Sequence, residues 1–455
     1  MEWPSRFAEK TRDATQSRAT RGIRTRGVLS SYRNLQQIRG FYAFADSLDI
    51  DRYKINGVSR DAIVSVRELN INGNPSRNWI NDHLVYTHGF GFVAATANMV
   101  DADGKPSFQV GDIPPTNGLG VFEPRVYFGE NMPDYSIIGG LKGGIQTELD
   151  YPDDKSATGQ KNYTYQGKGG VPMGSLASRL LFAIKYQEQR ILLSNLINKD
   201  SKILFNRDPK ERVAKVAPWL TLDGNVYPAV VNGRIVWIID GYTTNSGYPY
   251  AKRVNLAQAT SNSLTTSSAA VSPLPDKTVN YIRNSVKATV DAYDGNVTLY
   301  KWDETDPVVN TWAKSFPGTL RNKSEMSADL LAHIRYPEDL FGVQRDVLST
   351  YHVENASAYY GGQDFWRVPP DPSSMGANNT VQPPYYMTMQ MPGTNSPAFS
   401  LTTAFVPRGN RQNLTAFASV NSDNGPDYGK ITVLQLPRST NISGPSQVAS
   451  NFEAN

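Results

Sequence analysis

The sequence predicts an α+β protein of mostly antiparallel strands with a few amphipathic helices, folded as two tightly packed lobes. Three observations predict it. Val226–Tyr250 sets two apolar runs on either side of Asn232-Gly233, a dipeptide that takes the positive φ values of a tight two-residue hairpin. Tyr281–Tyr300 repeats the strand-turn-strand pattern around Asp294-Gly295, with Val and Thr alternating on both sides. Before and after these hairpins, Ser175–Ile197 and Pro337–Tyr351 carry apolar residues at helical spacing.

Residues 1–27 hold seven basic side chains (Arg6, Lys10, Arg12, Arg18, Arg21, Arg24 and Arg26) against Glu2, Glu9 and Asp13, the composition of a flexible basic leader. The first lobe is expected over 28–253. Its strands and turns are punctuated by Asp103-Gly104 and Asn117-Gly118. One helix interrupts them: Leu176, Leu180, Leu181, Ile184, Ile191 and Leu192 recur on a stripe while Lys185, Glu188, Gln189 and Arg190 face water, so the segment reads as an amphipathic helix laid on a sheet. Residues 254–278, rich in Ser and Thr, read as a linker or loop. The second lobe is expected over 279–438. After its hairpin come helices over Ser327–Ile334 and Pro337–Tyr351, the latter with Pro in a first-turn position and Leu340, Val343, Val347 and Tyr351 repeating helically. Strands follow near Tyr385–Met391, Phe399–Val406, Leu414–Val420 and Lys430–Leu436, and 439–455 read as a tail.

At 455 residues the chain exceeds one ordinary domain, and its 24 Tyr, 29 Pro and 36 Gly with only 19% charged residues favour strands, turns and ordered loops. The absence of Cys excludes disulfides, thiolate zinc sites, iron–sulfur clusters and cysteine nucleophiles. No stretch approaches the roughly 20 apolar residues that cross a bilayer. Setting the leader aside leaves 39 basic and 39 acidic residues, a neutral body that gives no basis for a nucleic-acid partner.

Gly167–Ser175 resembles a phosphate loop before a helix, but Met173 stands where the phosphate-binding Lys belongs and Pro172 removes an N–H donor. Asp101–Lys105 fails as a calcium loop because Gly104 comes early and Lys105 falls where an oxygen ligand is needed. His83, His88, His333 and His352 contain no i, i+4 pair; His83 and His88, five apart in a strand pattern, point to opposite faces. Each histidine therefore reads as a hydrogen-bonded core residue, and neither a metal nor a cofactor is expected. Glu338-Asp339 reads as a pair of first-turn helix acids. The polar, aromatic loop at the mouth of the first hairpin supplies the candidate ligand-binding residues Tyr242, Thr243, Thr244, Tyr248 and Tyr250. Asp240 and Asp291 are the candidate catalytic carboxylates, if their separation suits paired-acid chemistry.

The runs SYRNLQQIRGFYAF from Ser31, DIDRYKING from Asp49, WINDHLVYTHGFG from Trp79, KGGVPMGS from Lys168, ILFNRDPKERVAKVAPWL from Ile203, YIRNSVKATVDAYDG from Tyr281 and RYPEDLFGVQRDVLSTYHV from Arg335 resemble the uncharacterised integral-membrane protein family (UPF 0182 type) of actinobacteria and cyanobacteria, most closely its actinobacterial branch. The resemblance implies a large hydrophilic region whose membrane helices lie outside this chain, placed at the outer face of the cell membrane. It carries over no catalytic residue. The expectation is an extracytoplasmic domain that binds an envelope lipid, glycan or membrane-protein partner. The alternatives are an envelope glycan- or lipid-acting enzyme with a cleft near Asp240 and Asp291, and the substrate-capturing domain of a transporter.

Overall fold

Short apolar or alternating runs bounded by turn residues build the strands, which outnumber the helices among the described residues. The structure, a computed structural model, describes residues 24–55, 57–116, 118–140, 146–374, 380–437, 439 and 441–454. The leader up to residue 23 and Asn117 of the expected turn lie outside these residues. Helix α1 (Arg24–Gln36) leads into a four-stranded antiparallel sheet of β1 (Asp49–Ile55), β2 (Val58–Val66), β3 (Phe92–Val100) and β4 (Pro106–Val110), in that order. A smaller sheet of β5 (Tyr135–Ile138), β6 (Val171–Pro172) and β7 (Lys202–Phe205) has the order β6-β7-β5.

The third sheet comprises β8 (Thr221–Leu222), β9 (Tyr227–Val231), β10 (Arg234–Asn245), β11 (Tyr281–Asp291), β12 (Val297–Lys301) and β13 (Leu320–Asn322), ordered β8-β10-β11-β12-β13 with β9 also on β10. The β9–β10 hairpin forms as the sequence predicts: Asn232 and Gly233 have φ of 50° and 73°. The fourth sheet comprises β14 (Trp366–Arg367), β15 (Tyr385–Met389), β16 (Ala398–Pro407), β17 (Ala416–Asn421) and β18 (Ile431–Gln435). With antiparallel pairs dominating and helices lying between and outside the sheets, the α+β class stands.

Two large apolar cores position everything else. One lies between the first and third sheets and takes Val64 and Phe92 with Trp237, Ile239 and Val286. The other joins Ile50 and Tyr242 to Phe341, Leu401 and Phe405, so it binds β1 and the third sheet to the fourth. Residues 254–278 contain the short helices α5 (Leu256–Thr260) and α6 (Ser263–Ser267), and they connect β10 to β11, which pair with each other from Val236↔Asp291 to Asn245↔Tyr281.

The helix expected over 175–197 requires correction. It is α2 (Leu176–Tyr186), stopped by Gln187 in the left-handed region at φ 53°, followed by the single turn α3 (Arg190–Leu193). Of the expected stripe Ile191 packs in the core beside Ile203, but the α2 side chains that join it on the sheet are Phe182, Ala183 and Tyr186. Leu176, Leu180, Leu181 and Ile184 are exposed. His83 likewise lies in a helical turn, Asn81–Val85, instead of a strand.

Candidate functional site

A strand sends residues i and i+2 to one face, so Asp49, Asp51 and Tyr53 of β1 are presented together. The segment His333–Arg335, which leaves the end of a short helix, meets them residue for residue. Arg335 Nη2 donates to Asp49 Oδ1 at 2.9 Å, and its Nη1 donates to the Ile50 carbonyl at 2.7 Å. Two residues earlier, His333 Nδ1 lies 2.7 Å from Asp51 Oδ2, with the imidazole 4.7 Å from the Tyr53 ring. Helix α8 (Ala328–Ala332) delivers His333: Ser327 Oγ accepts the Leu330 N–H at 3.1 Å to start the helix, and His333 ends it. Asp329 Oδ2 accepts the Asn232 N–H at 2.6 Å and fastens the helix to the β9–β10 hairpin.

Asp51, Tyr53 and His333 line a groove of about 900 Å³, with Arg52, Lys54 and Asp329 beside them and Phe399, Ser422 and Asp423 opposite. Arg52 Nη2 spans it to Asp423 Oδ1 at 2.5 Å. Ser422 Oγ is buried and has no hydrogen-bond partner among the described residues. Burial pushes the His333 pKa down, but the Asp51 charge and hydrogen bond outweigh it, so the pKa stands above the ordinary histidine value. With Nδ1 held by Asp51, the only ring nitrogen left for a ligand is Nε2, which makes no hydrogen bond among the described residues. An imidazole oriented in this way by a carboxylate is equipped to accept or donate a proton at Nε2. Among the described residues no group of His, Asp and Glu is arranged to hold a metal ion.

The residues singled out from the sequence lie elsewhere. Asp240 is buried against Lys287, with which it forms an ion pair, and accepts the Asn284 amide at 2.9 Å. Tyr242 is fully buried and its hydroxyl donates to Asp223. Thr243 Oγ1 donates to Asp306 at 2.6 Å, and Thr244 Oγ1 accepts from Lys277 Nζ at 3.0 Å. Tyr248 stacks on Tyr281 with ring centroids 5.9 Å apart, while Tyr250 is fully exposed. Asp291 is paired with Arg234 at 2.7 Å and accepts the Tyr293 and Asp294 N–H groups that form the turn. Val236 is the register partner of Asp291 and Lys287 that of Asp240, so the two carboxylates stand four residues apart along the sheet, roughly 13 Å at 3.3 Å per residue. None of these seven residues lines the groove.

Sequence reasoning missed the His333–Asp51 pair because 282 residues separate its members. A signal was present. Asp49 and Asp51 alternate with apolar or long side chains at the start of a strand, two residues apart, and His333 and Arg335 repeat that spacing. Asp49, Asp51 and Arg335 belong to runs that carry the family resemblance.

Beneath the groove, Asp240, Lys287, Asp223, Tyr242 and Asp339 form a second, closed polar cluster. Asp339 Oδ2 accepts the Gly224 N–H at 2.7 Å, and Lys287 Nζ donates to the Arg335 carbonyl at 2.9 Å. Burial, then the Asp240 charge, pushes the Asp223 carboxyl up to about 6, and burial draws the Lys287 pKa down. Its groups satisfy one another and clasp the sheet.

Fold and site together define an α+β protein with a polar groove where its first, third and fourth sheets meet. A family model for an uncharacterised protein family, UPF0182, matches residues 6–455, and the chain belongs to that family. It is 50% identical over 445 residues to a UPF0182 protein of Bifidobacterium longum, covering 94% of this chain and 41% of that protein. A Streptomyces coelicolor relative is 48% identical over 448 residues, covering 98% of this chain and 44% of the relative, and a Thermobifida fusca relative is 46% identical over 496 residues, covering 94% and 48%. The chain thus spans less than half the length of these actinobacterial relatives. No solved structure matches.

Proposed function

We propose that this chain is the ligand-binding region of a longer membrane protein, held at the outer face of the cell membrane, and that it binds an envelope component in the groove beside His333. The groove carries this reading. It is large enough for a small-molecule or oligosaccharide segment, and it combines an apolar wall (Tyr53, Leu119 and Phe399) with donors and acceptors (Arg52, Lys54, Asp423 and the unpartnered Ser422 hydroxyl). The membrane setting is supported by the length of the relatives, which leaves more than half of their sequence outside this chain. Among the described residues no helix is long and apolar enough to cross a membrane, so an anchor would belong to that remainder.

A panel of soluble envelope glycan fragments and lipid headgroups, titrated by calorimetry, tests the binding. We expect one class to bind the chain, and Lys54→Ala with Arg52→Ala to weaken it at least tenfold, about 1.4 kcal/mol, while the unfolding temperature stays close to that of the parent. Binding that ignores both substitutions removes the groove from the reading. The oriented His333 imidazole favours a second reading, an enzyme that works on the same envelope glycan or lipid by general acid–base catalysis. Under that reading the bound fragment is converted to product, and His333→Gln abolishes conversion while retaining binding.

A further inference from the structure

Helix α2 is apolar on two faces, and the fold uses one. At 3.6 residues per turn, Arg179, Phe182, Ala183 and Tyr186 fall within about 100° and face the protein, where the three apolar side chains pack on the core around Ile191 and Ile203. Leu176, Leu180, Leu181 and Ile184 occupy about 140° on the other side. Their exposures are 73%, 46%, 68% and 66%, and Leu193 at 70% and Leu196 at 44% continue the apolar surface past α3. A second apolar face left open on a helix whose first face is already buried marks a surface for something else to cover.

Charge and area decide what covers it. Residues 168–202 carry six basic side chains against Glu188 and Asp200, an excess of four positive charges in a chain whose body is neutral. Lys168, Lys185, Arg190 and Lys199 are exposed. Two copies meeting through this face would bring like charges together. The footprint is also too small: an 11-residue helix is about 16 Å long and 10 Å wide, a few hundred Å² with the neighbouring leucines, against the roughly 800 Å² per partner of a stable protein interface. Leucines and isoleucine rimmed by lysine and arginine suit an anionic lipid surface, which needs no matching partner shape and rewards each inserted side chain separately.

We infer that the outward face of α2, with Leu193 and Leu196, inserts into the headgroup–acyl boundary of an anionic bilayer and orients the groove relative to the membrane. This deepens the membrane placement proposed above and rests on it, but it is independent of what fills the groove. Vesicle binding without a groove ligand, and ligand binding without vesicle affinity, are read separately.

The test is co-sedimentation of the purified chain with vesicles of zwitterionic lipid, with and without about a third of anionic lipid. We expect binding to the anionic vesicles, weakened at least tenfold by Leu181→Asp with Ile184→Asp, and weakened by Lys185→Glu with Arg190→Glu or by high salt. Both pairs are at the surface, so unchanged unfolding temperatures confirm that the variants are folded. Leu181→Trp provides a second reading: its fluorescence is expected to shift to the blue on anionic vesicles and to be quenched by brominated acyl chains. Absence of sedimentation with the parent chain, or sedimentation untouched by Leu181→Asp with Ile184→Asp, overturns the inference. So does a concentration-dependent dimer in ultracentrifugation that the same substitutions dissolve, since it would assign the face to a second copy.

Discussion

Lys287 is sealed from water in the third sheet, and its charge is tolerated there because Asp240 faces it across the β10–β11 register and the Arg335 carbonyl accepts from it. Lys287→Met leaves a buried, uncompensated carboxylate and is expected to cost about 3–5 kcal/mol in urea unfolding. Adding Asp240→Leu is expected to recover most of that loss; a double variant as unstable as the single would show that the pair does not explain it. His333 carries the same sign of charge when protonated, but its pKa moves the other way, up instead of down, because burial is outweighed by Asp51, which favours the protonated ring. Because its folded pKa is raised, the pair stabilises the protein fully below the unfolded histidine value, about 6.5, and loses that contribution as pH rises through the folded value. Asp51→Asn is therefore expected to flatten the decline in stability as pH rises above about 6.5 relative to the parent. Equal slopes for the two proteins would contradict the pairing. His88 works in a lower window: burial pushes it down to about 4, so its contribution is lost as pH falls from about 6.5 toward that value.

Among the elements, helix α7 (Pro307–Ser315) shows how a cap becomes a junction. Asp306 accepts the Val308 and Val309 N–H groups at 2.9 and 3.2 Å and also the hydroxyls of Thr243, Ser285 and Tyr281, at 2.6, 2.5 and 2.5 Å. Burial opposes the charge, but these donors outweigh it and hold the Asp306 pKa below the ordinary range, so the cap weakens as pH falls through that lowered value. Asp306→Ala is expected to cost about 2–4 kcal/mol, because it removes a cap and strands buried hydroxyls. Asp208→Ala, at the start of helix α4 (Pro209–Val216), removes a cap acceptor for backbone N–H groups that takes no buried hydroxyl among the described residues, and is expected to cost about 1 kcal/mol. Equal losses would mean that the hydroxyls add nothing. The same geometry gives Thr243, read from the sequence as a ligand-binding residue, a place inside the sheet–helix contact. Start signals were legible in the sequence, as at Pro337 before α9 (Glu338–Tyr351). The end of α2 was not, since Gln187 carries no sequence mark of a left-handed stop and takes that conformation only in the folded chain.

Across the whole molecule, Arg335 ties the sheets together. Its guanidinium bonds to β1 and lies 3.7 Å from the Tyr227 ring centroid of the third sheet and 4.7 Å from that of Tyr386 in the fourth. Because β10 and β11 pair across the Ser/Thr-rich segment and the second core draws on three sheets, calorimetry is expected to show one cooperative transition for the described fold, lowered but not split by Arg335→Met. Two resolved transitions in the parent would show that the sheets unfold as separate units.

The sequence alone determined the α+β class, the Asn232-Gly233 hairpin, the α8 and α9 helices and family membership, because each depends on local periodicity, turn chemistry or collinear motifs within a few residues. Only the tertiary structure brought His333 to Asp51 and opened the groove between sheets, because that contact joins a strand and a helix end 282 residues apart in the chain. The tertiary structure likewise decided which side of α2 is buried. A helix with two apolar faces gives the sequence no basis for choosing between them, and the choice was made by the surface of β5 and β7 against which Phe182 and Tyr186 fit.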